Sequence, residues 1–199
     1  IGLFLNNIGI IIGAMLLSPL LGPIYALAIS IAIGNQKATF DCVKILTIYI
    51  LMLIGIAAVV TLPLTYLVEL ELTPEIASRM DANSVYIVMA ILLGLATIIA
   101  LAKGIPEGIA GVAIAAALLP PAVVTGIALV WFPAGFLDAL TLTLQNVVGL
   151  VAGSLIGVVI LKIGPRDLLA HYHAKKTLAR VAWLLAAMIL LLIGISFLI

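Results

Sequence analysis

The sequence predicts an all-α fold: a polytopic transmembrane helical bundle of inverted three-helix repeats with two proline-broken helices. Three observations predict it. First, 66% of the 199 residues are apolar and only 9% are charged, against about 25% charged in a soluble domain. Nine basic and eight acidic side chains cannot cover the surface that a water-soluble fold of this length exposes. Second, the apolar residues form long runs without the alternation of barrel strands. Third, the basic residues collect on every other link between those runs. The net charge of +1 gives no reason to expect a nucleic-acid partner. The single cysteine, Cys42, has no partner for an internal disulfide.

A helix rising about 1.5 Å per residue needs about 20 apolar residues to cross a hydrocarbon core of about 30 Å. Residues 1–5 are apolar but too few to span; ahead of the turn signal Asn6–Asn7, they are expected to be the tail of a truncated helix. They lack the basic region and cleavage site of a signal peptide. Residues 8–34 exceed one straight span and are interrupted by Ser18, Pro19, Gly22 and Pro23, which makes them the first broken helix. Residues 45–68 form the next span. In the link 69–83, Thr73 reads as an N-cap and Pro74 as the first residue of a short helix to Met80. Glu75 and Arg79 then lie one turn apart and can pair. Residues 84–102 span, residues 108–131 span with interruptions at Pro120 and Pro121, and residues 137–161 span again. A last helix occupies 180–199, outside the repeat. The whole chain reads as one transmembrane domain, with repeat one over 1–68 and repeat two over 84–161.

These spans put links 6–7, 69–83 and 132–136 on one side and 35–44, 103–107 and 162–179 on the other. The second side carries Lys37, Lys44, Lys103, Lys162, Arg166, Lys175 and Lys176, with Arg180 at its edge; the first carries only Arg79. Positive charge is retained inside, so the second side is expected to be cytoplasmic in a multi-pass cell-membrane protein. A shift of 102 residues brings Gly9, Ile12, Ala14, Leu16, Leu17 and Pro19 onto Gly111, Ile114, Ala116, Leu118, Leu119 and Pro121. Two spans separate the copies, so they cross in opposite directions. A break in lipid frees backbone groups, which only protein, trapped water or a bound ion or solute can satisfy. A packing kink is the alternative, because proline is common in membrane helices.

The stretches GAMLLSPLLGPI (13–24), EIASRM (75–80), GVAIAAALLPPAVVTGIAL (111–129) and LQNVVGLVAGSLIG (144–157) occur in this order along the chain. They resemble the motif blocks of the prokaryotic hydrophobic family catalogued as domain of unknown function 389. The resemblance implies a membrane part that often follows a soluble N-terminal domain, and it implies no reaction.

The candidate substrate-binding residues are Ser18, Pro19, Gly22, Pro120, Pro121, Thr125, Gln145 and Asn146, with Glu75 and Arg79 as a candidate gate. Gln145 and Asn146 are adjacent amides in an apolar run, and each must face a solute or an interhelical hydrogen bond. The family block contains an asparagine at Asn146, which tilts the assignment toward that residue. Ser18 and Thr125 could donate to the same solute or bond back to a carbonyl one turn earlier. Both breaks and Asn146 are expected to enclose one polar cavity near the midplane. Gly149, Gly153 and Gly157 form a stripe for close helix packing, with Leu155 pointing away from it toward lipid. His171 and His173 face opposite sides of a helix and suit a shared metal poorly, so residues 162–179 read as an interfacial segment near anionic headgroups. Asp138 and Glu107 lie at helix starts, where the dipole favours them. Without an intramembrane carboxylate pair, a Ser–His pair at membrane depth or an HExxH motif, no enzyme and no cofactor are expected. The expected function is a solute carrier or permease-like protein for a small polar solute or ion, lodged among membrane lipids as a homo-oligomer. The alternative is a non-transporting scaffold or sensor module serving a soluble domain.

Overall fold

A computed structural model describes the backbone of residues 1–165 and 168–198 and, apart from residues 168–173, their side chains. Among the described residues every regular element is helical: α1 (Ile8–Leu16), α2 (Leu21–Ile33), α3 (Gln36–Leu67), α4 (Pro74–Ala77), α5 (Val85–Ala102), α6 (Glu107–Val130), a 3-10 turn at Pro133–Gly135, α7 (Phe136–Ile160) and α8 (Leu168–Ser196). Five helices among the described residues (α3, α5, α6, α7 and α8) are long and apolar enough to cross a membrane, and α1 with α2, bent by 50° at the break, passes the same test only when the pair is taken together. The chain is an all-α membrane bundle. Arg166 and the side chains of His171 and His173 fall outside the described residues, and so does Ile199.

Caps set the boundaries. Asn7 Oδ1 accepts from the Ile10 amide at 3.2 Å to start α1, and Asn35 Oδ1 accepts from the Ala38 amide at 3.0 Å to start α3. Gly34, at φ 80°, closes α2 in the left-handed conformation that costs glycine nothing. Only Gly34 and Asn35 separate α2 from α3, so the link expected at 35–44 is helix and α3 reaches 32 residues. Thr73 caps α4 with Pro74 as its first residue, as expected, but the helix stops at Ala77 rather than Met80. Residues 2–6 form turns rather than the expected helix tail, with the Asn7 amide donating to Gly2 O at 2.9 Å.

The first break is present and the second is absent. Residues 17–20 separate α1 from α2, with the Ser18 amide bonded three residues back to Met15 O. Pro23 sits in the first turn of α2, where no amide proton is required. By contrast, α6 runs unbroken through Pro120 and Pro121. Each proline lacks the amide that would bond four residues back, so Ala116 O and Ala117 O lose their helical donors. Asn146 Nδ2 of α7 donates to Ala117 O at 2.8 Å and replaces one of them. The neighbouring helix supplies what proline removes, and α6 continues.

α6 and α7 are mostly buried and form the centre, whereas α3 and α8 are mostly exposed. α7 packs most extensively on α5, α3 on α6 and α2 on both α3 and α7. Leu20 in the break and Ile24, Leu27 and Ile31 of α2 meet Ile114 and Leu118 of α6 and Leu150 and Leu155 of α7 in the largest apolar cluster. Leu155 is therefore core rather than lipid-facing, because α2 covers the side of α7 turned from α5. The glycine stripe does seat a neighbour. A Cβ on Gly149 would meet Ile87 O at 2.9 Å, one on Gly153 would overlap Ile91 O, and one on Gly157 would meet Ile98 Cβ at 2.9 Å. Gly94 of α5 returns the contact against Leu150 O, and Gly126 lets α6 approach Ile54 O of α3.

The two ends differ in charge. Thr73 Oγ1 donates to Leu3 O at 2.7 Å, Phe4 meets Trp131 edge-on at 6.2 Å, and Ser196 Oγ donates to Ala82 O, so these segments share one end. Exposed Glu69, Glu71 and Asp81 make it the acidic end. Gly34 packs on Ala174 at the other end, where Lys37, Lys44, Lys103, Lys162, Lys175 and Lys176 lie. The alternation of links matches the expected one.

Candidate solute site

A cavity of about 240 Å³ lies between α5, α6 and α7, beneath the link that carries α4. Tyr86, Met89, Ala90 and Leu93 line it from α5, Ala116, Ala117 and Pro121 from α6, Leu142 and Asn146 from α7, and Arg79 from the link. Asn146 is ten residues into α7, hence about 15 Å below its acidic end and about half-way through a core of about 30 Å. Ala116 is the sole exposed residue between Ala110 and Ala128 of α6. Ala116, whose carbonyl Pro120 deprives of its helical donor, thus lines the cavity near mid-depth.

Each polar group has a definite state. Asn146 spends one amide proton on Ala117 O, leaving a second proton and its carbonyl. Arg79 pairs with Glu75 one turn back at 3.7 Å, through a single nitrogen and at the long limit of an ion pair. Its Nε is buried and unpartnered. Both residues are partly exposed at the acidic end, so the contact itself contributes at most a few tenths of a kcal/mol, roughly the value of an exposed helix pair.

The other candidates lie elsewhere. Ser18 and Pro19 border two further cavities: one of about 300 Å³ with Tyr49, Met52, Leu53 and Ile56 of α3, and one of about 210 Å³ with Gly22, Glu107, Gly108 and Gly111. Pro120 lines a fourth with Ile1, Ile10 and Val123. Contrary to expectation, the cavities do not join both proline sites and Asn146 in one space: Pro121 and Asn146 line the first, Ser18 and Pro19 the next two, and Pro120 the fourth, on the same side of α6 as Ala14 and Leu119. Ser18 Oγ is buried without a partner. Thr125 Oγ1 bonds back to Pro121 O at 2.9 Å, and Thr143 Oγ1 to Ala139 O at 2.8 Å. The two hydroxyls also meet at 3.1 Å; two protons serve three contacts, so one back-bond yields whenever the hydroxyls bond each other. Gln145 is fully buried with neither amide atom bonded. Among the described residues no cluster of His, Cys, Asp or Glu could hold a metal ion.

Sequence reading did not single out Tyr86 or Ala116. A signal for Ala116 existed, since it stands four residues before Pro120 and its carbonyl must lose its donor. Tyr86 carried only the weak signal of a phenol at the start of an apolar run.

The profile described as "Domain of unknown function (DUF389)" matches residues 15–152. An uncharacterized protein of Methanocaldococcus jannaschii is 29% identical over 153 residues, which are 75% of this chain and 46% of that relative. The chain thus spans about half the length of the relative it matches. No solved structure matches.

Proposed function

The chain belongs to the DUF389 family, and we propose that it is a permease-like solute carrier whose site is the cavity between α5, α6 and α7. One observation carries the reading: the freed carbonyl at exposed Ala116, the Asn146 amide and the Arg79 guanidinium border the same space at and above mid-depth. Lipid cannot satisfy such groups, whereas water or a solute can. Arg79 and Glu75 stand at the mouth as the gate. The inverted repeat belongs to this proposal. Its support is reciprocal packing, since α3 of the first half lies on α6 of the second and α7 of the second lies on α2 of the first. A two-fold axis in the membrane plane requires such exchange. The cytoplasmic placement of the basic end, the solute, homo-oligomeric assembly and the absence of enzymatic chemistry are parts of the same reading.

The test is access. In a Cys42→Ser background, Ala116→Cys should react with a small membrane-impermeant thiol reagent added from the acidic end. A cysteine that reacts only after denaturation would overturn the carrier reading. The first break favours the alternative, a membrane scaffold for a soluble domain, because apolar Leu17, Leu20, Leu53, Ile56 and Leu119 surround Ser18 there. A scaffold has a dry midplane, so the same unreactive Ala116→Cys would support it.

A further inference from the structure

We infer that the solute of this cavity is a small organic anion: a monocarboxylate on a short apolar body, held head-first by Arg79. This rests on the carrier reading above. Three features select that chemistry. Arg79 is the one cation on the cavity wall, and its guanidinium is held by a single long contact to Glu75 and has an unpartnered Nε. A guanidinium in that state has donors free for the two oxygens of a carboxylate, the geometry it matches best. Below it Met89, Ala90, Leu93 and Leu142 form an apolar wall, which suits a hydrocarbon body and offers nothing to the outer oxygens of sulfate or phosphate. At the floor, Ala116 O is an acceptor without its helical donor, so a second anionic group there would be repelled while a hydroxyl would be bound. The volume of about 240 Å³ lies below the range of about 300 to 1,000 Å³ for drug-sized ligands, which limits the body to a few carbons.

Glu75 then serves as the resting counter-ion of Arg79. The incoming carboxylate displaces it, and because the displaced pair is solvated and long, exchange is cheap. The acids of the surrounding end, Glu69, Glu71 and Asp81, disfavour anions in the approach; selectivity for an anion must arise inside the cavity at Arg79.

The experiment uses the full-length protein in membranes with Ala116→Cys in the Cys42→Ser background. Modification rates are measured with an anionic and a cationic methanethiosulfonate of similar size, each normalised to its rate with a free thiol. The anionic reagent should be favoured, and Arg79→Gln should lower that preference by about tenfold while Arg79→Lys retains it. Acetate, butyrate and lactate are then tested as protectants against acetamide, butyramide and lactamide. At least one carboxylate should slow modification threefold or more in a way its amide does not. Equal protection by acid and amide, protection by neither, or a charge preference unchanged in Arg79→Gln would overturn the anion assignment and leave an accessible carrier cavity. Failure of both reagents to reach Ala116→Cys in the folded protein would instead remove the carrier reading itself.

Discussion

Replacing Asn146 with leucine tests the interaction that keeps α6 continuous. The Asn146 Nδ2–Ala117 O bond is 2.8 Å long and its donor residue is 6% exposed. Leucine keeps the branching and heavy-atom count of asparagine but has bulkier methyl groups; that crowding is common to both backgrounds of the cycle below, so the coupling isolates the loss of a partner for a carbonyl already deprived by Pro121. An orphaned buried acceptor costs about 1–3 kcal/mol, while interhelical bonds in membranes average about 0.6 kcal/mol because the reference state finds other partners. Here the helix itself offers no other donor to Ala117 O, so Asn146→Leu should cost about 1–2 kcal/mol. Pro121→Ala restores the missing amide proton. In that background the Asn146→Leu penalty should fall to less than about 0.5 kcal/mol, giving a coupling of about 1 kcal/mol between residues that touch only through Ala117. The four proteins of the cycle are compared by reversible denaturation in mixed micelles. Additivity within about 0.3 kcal/mol would falsify the claim that Asn146 stands in for the proline-deleted donor.

The neighbouring amide should behave in the opposite sense: Gln145→Leu removes two unsatisfied buried atoms and is expected to leave stability unchanged or raise it by about 1 kcal/mol in the same assay, and a loss above that size would show a partner for Gln145. Gly153→Ala should destabilise by about 1–3 kcal/mol because its Cβ meets the Ile91 backbone, whereas Gly55→Ala, with open space around it, should be neutral or stabilising by up to about 1 kcal/mol. Equal melting temperatures for the two alanine variants would count against the α5–α7 glycine seam. For orientation, an impermeant thiol reagent on intact cells should modify Ala77→Cys at the acidic end and spare Cys42 until the membrane is opened; the reverse pattern would put the basic end outside, against the charge bias.

The parts of the fold legible in the sequence are those decided by neighbours along the chain. The turn before α1 at Asn7, the cap at Thr73, the break after Leu16 and the small-residue seam at Gly149, Gly153 and Gly157 all depend on residues within one or two turns. The continuity of α6 was not legible, because a proline's local cost was visible while its remedy stood 25 residues away in Asn146. Pro19 and Pro121 look alike in sequence, yet the Asn146 amide reaches only the carbonyl that Pro121 freed, and only that helix stays whole. The burial of Leu155 was hidden for a different reason. Lipid and protein interior are equally apolar, so periodicity cannot tell a residue facing α2 from one facing hydrocarbon. α7, with its amides, threonines and glycines, is mostly buried, while the leucine- and isoleucine-rich α3 is mostly exposed. In a bilayer the polar and small residues mark the inside, because hydrocarbon gives them neither a partner nor a close neighbour. By that rule the helices to test for solute passage are α6 and α7, where both walls of the cavity carry a backbone or side-chain group that lipid cannot satisfy.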